Sequence, residues 1–165
     1  MKVVVNATPL IALSLINQLE LLNELFDEVL VPSAVYQEVV IQGAGQPGAA
    51  ELASITWIQV QAPSTSSTIE PLLLGLDTGE LQVLLLAQEV QADWVLVDER
   101  LGRRIARAMN LPVKGTVGIM LAACEVGLLS KTQALEALRQ LTQRGIRISS
   151  QVIAWFETEV DQLQD

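Results

Sequence analysis

Trp94-Val-Leu-Val-Asp-Glu-Arg-Leu-Gly-Arg-Arg-Ile-Ala-Arg-Ala-Met109 joins an apolar run to a segment with helical spacing, and the junction falls at Asp98. Val95, Leu96 and Val97 make the continuous apolar run expected of a strand buried on both faces. In the helix read over Glu99–Met109, Leu101, Ile105, Ala108 and Met109 share one arc, while Arg100, Arg103, Arg104 and Arg107 share another. A buried strand feeding an amphipathic helix is half of a βαβ unit, so the local pattern predicts a parallel sheet.

The same alternation extends in both directions. Val3–Val5 reads as a first strand ending at Asn6, and not as a signal peptide, because Asn6, Thr8 and Pro9 break the apolar run. Helical patterns follow from Leu10 to Ile16 and from Leu19 to Phe26. Val29–Val31 is a short extended piece, and Pro32 is placed at the first turn of a helix running to Ile41. Glycines 43, 45 and 48 with Pro47 end that helix, and Ala49–Ala53 makes another short one. Thr56–Val60 reads as a strand. The polar loop Pro63–Thr68 marks no domain boundary, because a break there would leave a parallel sheet half built. Asp77 and Glu80 form a capping-box pattern opening an apolar helix to Val90. Beyond the central segment come a short strand at Val113 and helices over 116–126 and 131–143. Ile146–Ile148 is expected as an edge strand, and a last helix capped by Ser149 or Ser150 runs to Leu163. The reading is one α/β domain over residues 1–165 with a mainly parallel sheet.

Composition removes whole classes of chemistry. The 165 residues include no histidine and a single cysteine, Cys124. Ser-His-Asp and Cys-His pairs, histidine-ligated zinc and internal disulfides are therefore excluded. Catalysis in such a chain rests on carboxylates, hydroxyls, Lys, Arg or a metal held by oxygen. The lone cysteine suits a reducing cytoplasm, and the longest apolar or small run, Val117–Cys124, is far too short to span a membrane. Net charge is −9, but its distribution is uneven. Residues 1–99 hold thirteen acids against Lys2 alone; residues 100–147 hold nine bases against Glu125 and Glu136; residues 148–165 hold four acids and no base. A basic segment thus sits inside an acidic chain, and the local field matters more than the sum for a polyanionic partner.

Ligands of open parallel sheets bind beyond the carboxyl ends of the strands. Asn6 and Asp98 end two strands, and Glu38 and Glu80 lie on helices that pack nearby. Each also has a plain structural role open to it: Glu80 as the capping-box partner, Asp98 as a helix cap, Glu38 on a solvated face, Asn6 at a turn. Two carboxylates about 4 Å apart repel by about 4 kcal/mol at an effective dielectric near 20, so a cluster of three calls for a cation. Mg²⁺ or Mn²⁺, hard and oxygen-seeking, is the natural one. Glu99 is an alternative ligand if the loop turns differently. The arginine stripe is not explained by helix stability, since like charges at these spacings repel. It reads either as a phosphate-binding face or as solvated surface. Trp57, Trp94 and Trp155 are not interleaved with the bases and read as packing residues, and Cys124 as a small core residue.

Four segments together resemble a known family. Val3-Val-Val-Asn-Ala-Thr-Pro-Leu-Ile-Ala-Leu13 is similar to the opening strand and loop of PIN domains. Val31-Pro-Ser-Ala-Val-Tyr-Gln-Glu-Val39, Leu76-Asp-Thr-Gly-Glu-Leu81 and Val95-Leu-Val-Asp-Glu-Arg-Leu-Gly-Arg-Arg104 resemble the later acidic segments, in order, with Glu38, Glu80 and Asp98 in the acidic positions. Lys114-Gly-Thr-Val-Gly-Ile-Met120 resembles the Gly-Thr segment of a prokaryotic branch related to VapC toxins. The resemblance implies a three-layer α/β/α sandwich and a Mg²⁺- or Mn²⁺-dependent ribonuclease. Glu38, Glu80, Asp98 and the weaker oxygen ligand Asn6 would form its catalytic and metal site. Thr8, Thr116, Arg100, Arg103, Arg104 and Arg107 would lie on the substrate side. It also implies RNA as substrate, an antitoxin protein as partner, and a homodimer. The departure is Asn6, where the family usually has Asp. The alternative is a catalytically weakened PIN fold that binds nucleic acid or a protein partner. A generic nucleotide-binding fold is disfavoured, because no Gly-x-Gly-x-x-Gly follows the first strand.

Overall fold

The computed structural model describes residues 1–64 and 75–164. Five parallel strands form one sheet in the order β3-β2-β1-β4-β5, from β1 (Lys2–Val5), β2 (Glu28–Pro32), β3 (Ile58–Gln61), β4 (Trp94–Leu96) and β5 (Val113–Lys114). Val3, Val4 and Val5 are all 0% exposed although successive strand residues point to opposite faces. Both faces of β1 are therefore covered, and the same holds for Val29–Val31 and Val95–Val97, all at 2% or less. Helices on both sides of the sheet make the three layers.

Around the sheet lie α1 (Ala7–Leu15), α2 (Leu21–Leu25), α3 (Ser33–Tyr36), a π-helix (Gln37–Gln42) and α4 (Ala49–Ser54). They are followed by α5 (Thr78–Glu89), α6 (Arg100–Ala108), α7 (Thr116–Glu125), α8 (Lys131–Gln143) and α9 (Ser150–Gln162). The main core joins the strands to α1, α5 and Ile105 of α6. A second core, built on Met120, Leu138, Leu141 and Phe156, binds α7, α8 and α9 to the flank of α1. No helix among the described residues is long and apolar enough to cross a membrane.

Local sequence explains most boundaries. The Asp77 and Glu80 capping box forms in full: Asp77 Oδ1 accepts from the Glu80 amide at 2.8 Å and Glu80 Oε2 from the Asp77 amide at 3.0 Å. Ser130 and Gln133 make a second such box at α8, and Ser149 caps α9. Val29–Val31 is extended as expected and belongs to a full strand, pairing with both β1 and β3. Two expectations change. Pro32 precedes α3 as its cap residue, and the chain then widens into the π-helix carrying Glu38. Ile146–Ile148 is an irregular segment instead of an edge strand; its two isoleucines pack onto the second core of α7–α9. Of the loop Pro63–Thr68, residues 65–68 lie outside the described residues; Ser64 donates to Glu89 through its amide and hydroxyl.

Candidate functional site

Strand order reverses direction between β1 and β4, and at such a switch point the connections leave in opposite directions and open a crevice. Asn6 and Asp98 flank it. The Asn6 amide N–H donates to Leu96 O at 3.0 Å, extending the β1–β4 ladder by one residue and fixing Asn6 against the end of β4. Asn6 is only 3% exposed. Its Nδ2 donates to Glu99 Oε2 at 3.2 Å, and the Thr8 hydroxyl donates to Glu99 Oε1. Glu99, not Asp98, is thus the carboxylate that the first strand and α1 grasp directly.

Asp98 turns the other way. Its Oδ1 accepts from the Thr116 amide at 2.8 Å and its Oδ2 from the Thr116 hydroxyl at 2.6 Å. Thr116, 2% exposed, therefore directs both donors to Asp98, tying the end of β4 to the start of α7. Arg103 folds back beside this pair, its Nη1 donating to Val97 O at 3.1 Å. Gly115 makes the packing feasible: a Cβ there would stand 2.7 Å from both Arg103 Nη1 and Asp98 Oδ1. Gly115→Ala should lower stability by about 1–3 kcal/mol, since the methyl displaces the Asp98 carboxyl from Thr116. A denaturant melt reads this directly; an unchanged midpoint and slope would show that the side chains yield without loss.

Glu38 and Glu80 approach over two further glycines. A Cβ at Gly79 would lie 3.3 Å from Glu38 Oε2, and one at Gly102 would lie 3.9 Å from Glu80 Oε1. The π-helix is thereby laid against the first turn of α5, and that turn against α6. The electrostatics agree with convergence. Desolvation, then the charges of Asp77, Glu99 and Glu80, raise the Glu38 carboxyl above its ordinary range. Glu80 is raised by desolvation and by Asp77 and Glu99, against the opposing hydrogen bond from the Asp77 amide. Burial raises Asp98 despite its two bonds from Thr116, with Glu99 adding to the rise and Arg103 opposing it. The Glu99 charge bears on all three. Among the described residues no three acidic groups stand close enough to hold one ion between them as placed. The donor set is nonetheless all oxygen, and its like charges need a counter-charge. That fits a hard cation that keeps much of its water and takes one or two carboxylates directly.

A groove of about 910 Å³ opens from this crevice. Thr8, Asp98 and Glu99 line it together with Arg100, Arg103, Arg107 and Lys114. The 145–149 segment with Arg147, and Val152 and Trp155 of α9, line it as well. The predicted arginine stripe is therefore divided: Arg100, Arg103 and Arg107 face the groove, whereas Arg104 is exposed and does not line it. Lys114 also lies over the Trp94 ring, 4.2 Å from its centroid. Arg147 and Trp155 escaped sequence reasoning. The former sits in the segment expected as a strand; the latter, expected as packing, is 45% exposed.

A family model described as a PIN domain matches residues 2–162 of the chain. No curated protein and no solved structure gives a significant match.

Proposed function

The chain belongs to the PIN-domain family, and on that premise we propose that it is a divalent-metal-dependent ribonuclease, related to VapC-type toxins, that hydrolyses RNA phosphodiesters. The observation that supports this reading is the placing of Glu99 by Asn6 and Thr8 beside Asp98 at the switch point, where the Glu99 charge adds to the desolvation that raises Glu38, Glu80 and Asp98. Mg²⁺ or Mn²⁺ bound there supplies an activated water and a counter-charge for the phosphodiester. Glu99 provides the carboxylate that Asn6 lacks, and Asn6 and Thr8 orient it. Asp98 is held ready by Thr116, and Arg103 bounds the site on its α6 side. The substrate phosphates lie along Arg100 and Arg107, whose guanidinium forks suit phosphate oxygens.

The decisive experiment is cleavage of a labelled RNA with and without Mn²⁺, run beside a calorimetric metal titration. Cleavage only with metal supports the proposal. Metal binding without cleavage favours a PIN-fold binding module, and absence of both removes the metal site. The groove gives a sharper contrast. Arg107→Gln should weaken RNA binding several-fold at low salt and flatten the salt slope by about one, as one fewer phosphate is neutralised. Arg104→Gln, facing away from the groove, should change neither. Equal effects of the two variants would mean that the groove is not the binding face.

A further inference from the structure

The groove wall formed by α9 has no basic residue of its own except through Arg147 at its approach, yet it presents the half-exposed ring of Trp155 beside the exposed Val152. Elsewhere in the described chain, large side chains of α9 turn inward: Phe156 is 0% exposed and Val160 1%. Trp155 is next to Phe156 in the chain and faces the other way. A large aromatic left half in water on the lining of a groove that also holds Arg100, Arg107 and Lys114 offers stacking area in a site whose guanidinium and ammonium groups suit phosphates. The groove lining combines carboxylates, the bases of α6 and the aromatic ring of α9. That combination suits a nucleotide unit, which carries both a phosphate and a flat base.

We propose that Trp155 is a base-stacking residue: a single-stranded nucleic-acid segment lies in the groove with its backbone along Arg100 and Arg107 and one nucleobase on the Trp155 ring. This deepens the nuclease reading by adding α9 to the binding surface and requiring the base to be unstacked from its neighbours. A paired duplex cannot offer a base face to the ring without opening. The bases and the exposed ring together favour this occupant over an acidic peptide, whose carboxylates supply charge but no flat face for the ring.

The test is binding of a short single-stranded oligoribonucleotide and of a fully abasic strand of equal length, both measured by fluorescence anisotropy without divalent metal. Trp155→Ala should weaken the intact strand about ten- to hundred-fold, the range expected for one base on an aromatic ring, and leave the abasic strand unchanged. Trp155→Tyr should recover most of the loss. Intrinsic fluorescence of Trp155, isolated in a Trp57→Phe, Trp94→Phe background, should be quenched by the intact strand only. Equal weakening of both strands, or none of either with Trp155→Ala while Arg107→Gln still weakens both, overturns the stacking proposal and leaves the nucleic-acid reading standing. Loss with neither variant overturns both. A poly-glutamate peptide that binds as tightly as the intact strand overturns the proposal in favour of a protein partner. Circular dichroism and a thermal melt confirm that each variant is folded.

Discussion

Glu99→Gln should lower Mn²⁺ affinity by about 100-fold while leaving the fold intact, the largest single effect expected at this site. Glutamine retains the length of the side chain, and its amide can still accept from Asn6 Nδ2 while meeting the Thr8 hydroxyl, which can donate or accept. What disappears is one negative charge that bears on Glu38, Glu80 and Asp98 together. A hundred-fold loss is about 2.7 kcal/mol, less than the ~4 kcal/mol between unit charges at 4 Å with an effective dielectric near 20. The metal-free variant should be no less stable than wild type, since a repelling charge has gone. Its three neighbours should titrate closer to the ordinary carboxylate range. With metal at a thousand times the wild-type Kd, stabilisation by mass action falls from about 4.1 to about 1.4 kcal/mol. For a domain of this size the metal-induced rise in Tm then shrinks by roughly 5–10 °C. Asp98→Asn is the less clean comparison, because Asp98 accepts two bonds from Thr116 and an amide cannot accept both equally. Equal metal affinities for wild type and Glu99→Gln would remove Glu99 from the site and leave Asp98 as the nearest carboxylate.

The parts of this fold visible in the sequence are those set by local chemistry. Three consecutive valines flanked by a polar stop mark β1, the Asp77 and Glu80 pair marks α5, and Ser130 and Gln133 open α8 as their side chains require. Tertiary context decided the rest. Val29–Val31 could be read only as a short extended piece; the two strands on either side of it make it a central strand of the sheet. Ile146–Ile148 has the apolar alternation of a strand, but its isoleucines are drawn onto the core of α7–α9 and it pairs with no strand among the described residues. Of the proposed site, Asn6 and Asp98 could be read as strand ends and Glu38 and Glu80 as positions on helices expected nearby, because ligands of open parallel sheets bind beyond the carboxyl ends of the strands. The turn of Glu99 toward Asn6 could be read only as an alternative open to the loop. Which of two adjacent acids turns toward Asn6 depends on the Thr116 donors, eighteen residues away from Asp98 in the chain. Trp155 was hidden for a related reason: helical spacing puts Phe156 and Val160 inward, but the groove exists only once α6, the 145–149 segment and α9 come together in the fold.

Asn6→Asp should destabilise the metal-free protein by up to a few kcal/mol and enlarge the stabilisation that Mn²⁺ gives. Asn6 is almost wholly buried and its Nδ2 donates to Glu99 Oε2 at 3.2 Å. The substitution replaces that donor with a second carboxylate at nearly constant volume, losing one hydrogen bond and setting like charges against each other at about 4 kcal/mol for 4 Å and a dielectric near 20. The pair then titrates as a unit, with one proton held more tightly in the folded state than in the unfolded chain. A carboxyl whose folded pKa is raised favours folding while it is protonated. Its contribution is present below the ordinary carboxylate range and is lost as pH rises toward the folded pKa. The stability difference between variant and wild type should therefore be small at pH 4 and grow toward pH 7. Mn²⁺ reverses the sign of the local argument: each added carboxylate strengthens its attraction, so the variant should bind metal more tightly and show the larger thermal shift. If RNA cleavage by wild type is weak for want of this charge, the variant should raise it as well. Melting scans of both proteins at two pH values, with and without Mn²⁺, separate the terms. Equal metal-induced shifts would mean that a cation at this crevice does not sense residue 6, and the arrangement of Asn6, Glu99 and Asp98 around it would have to be given up.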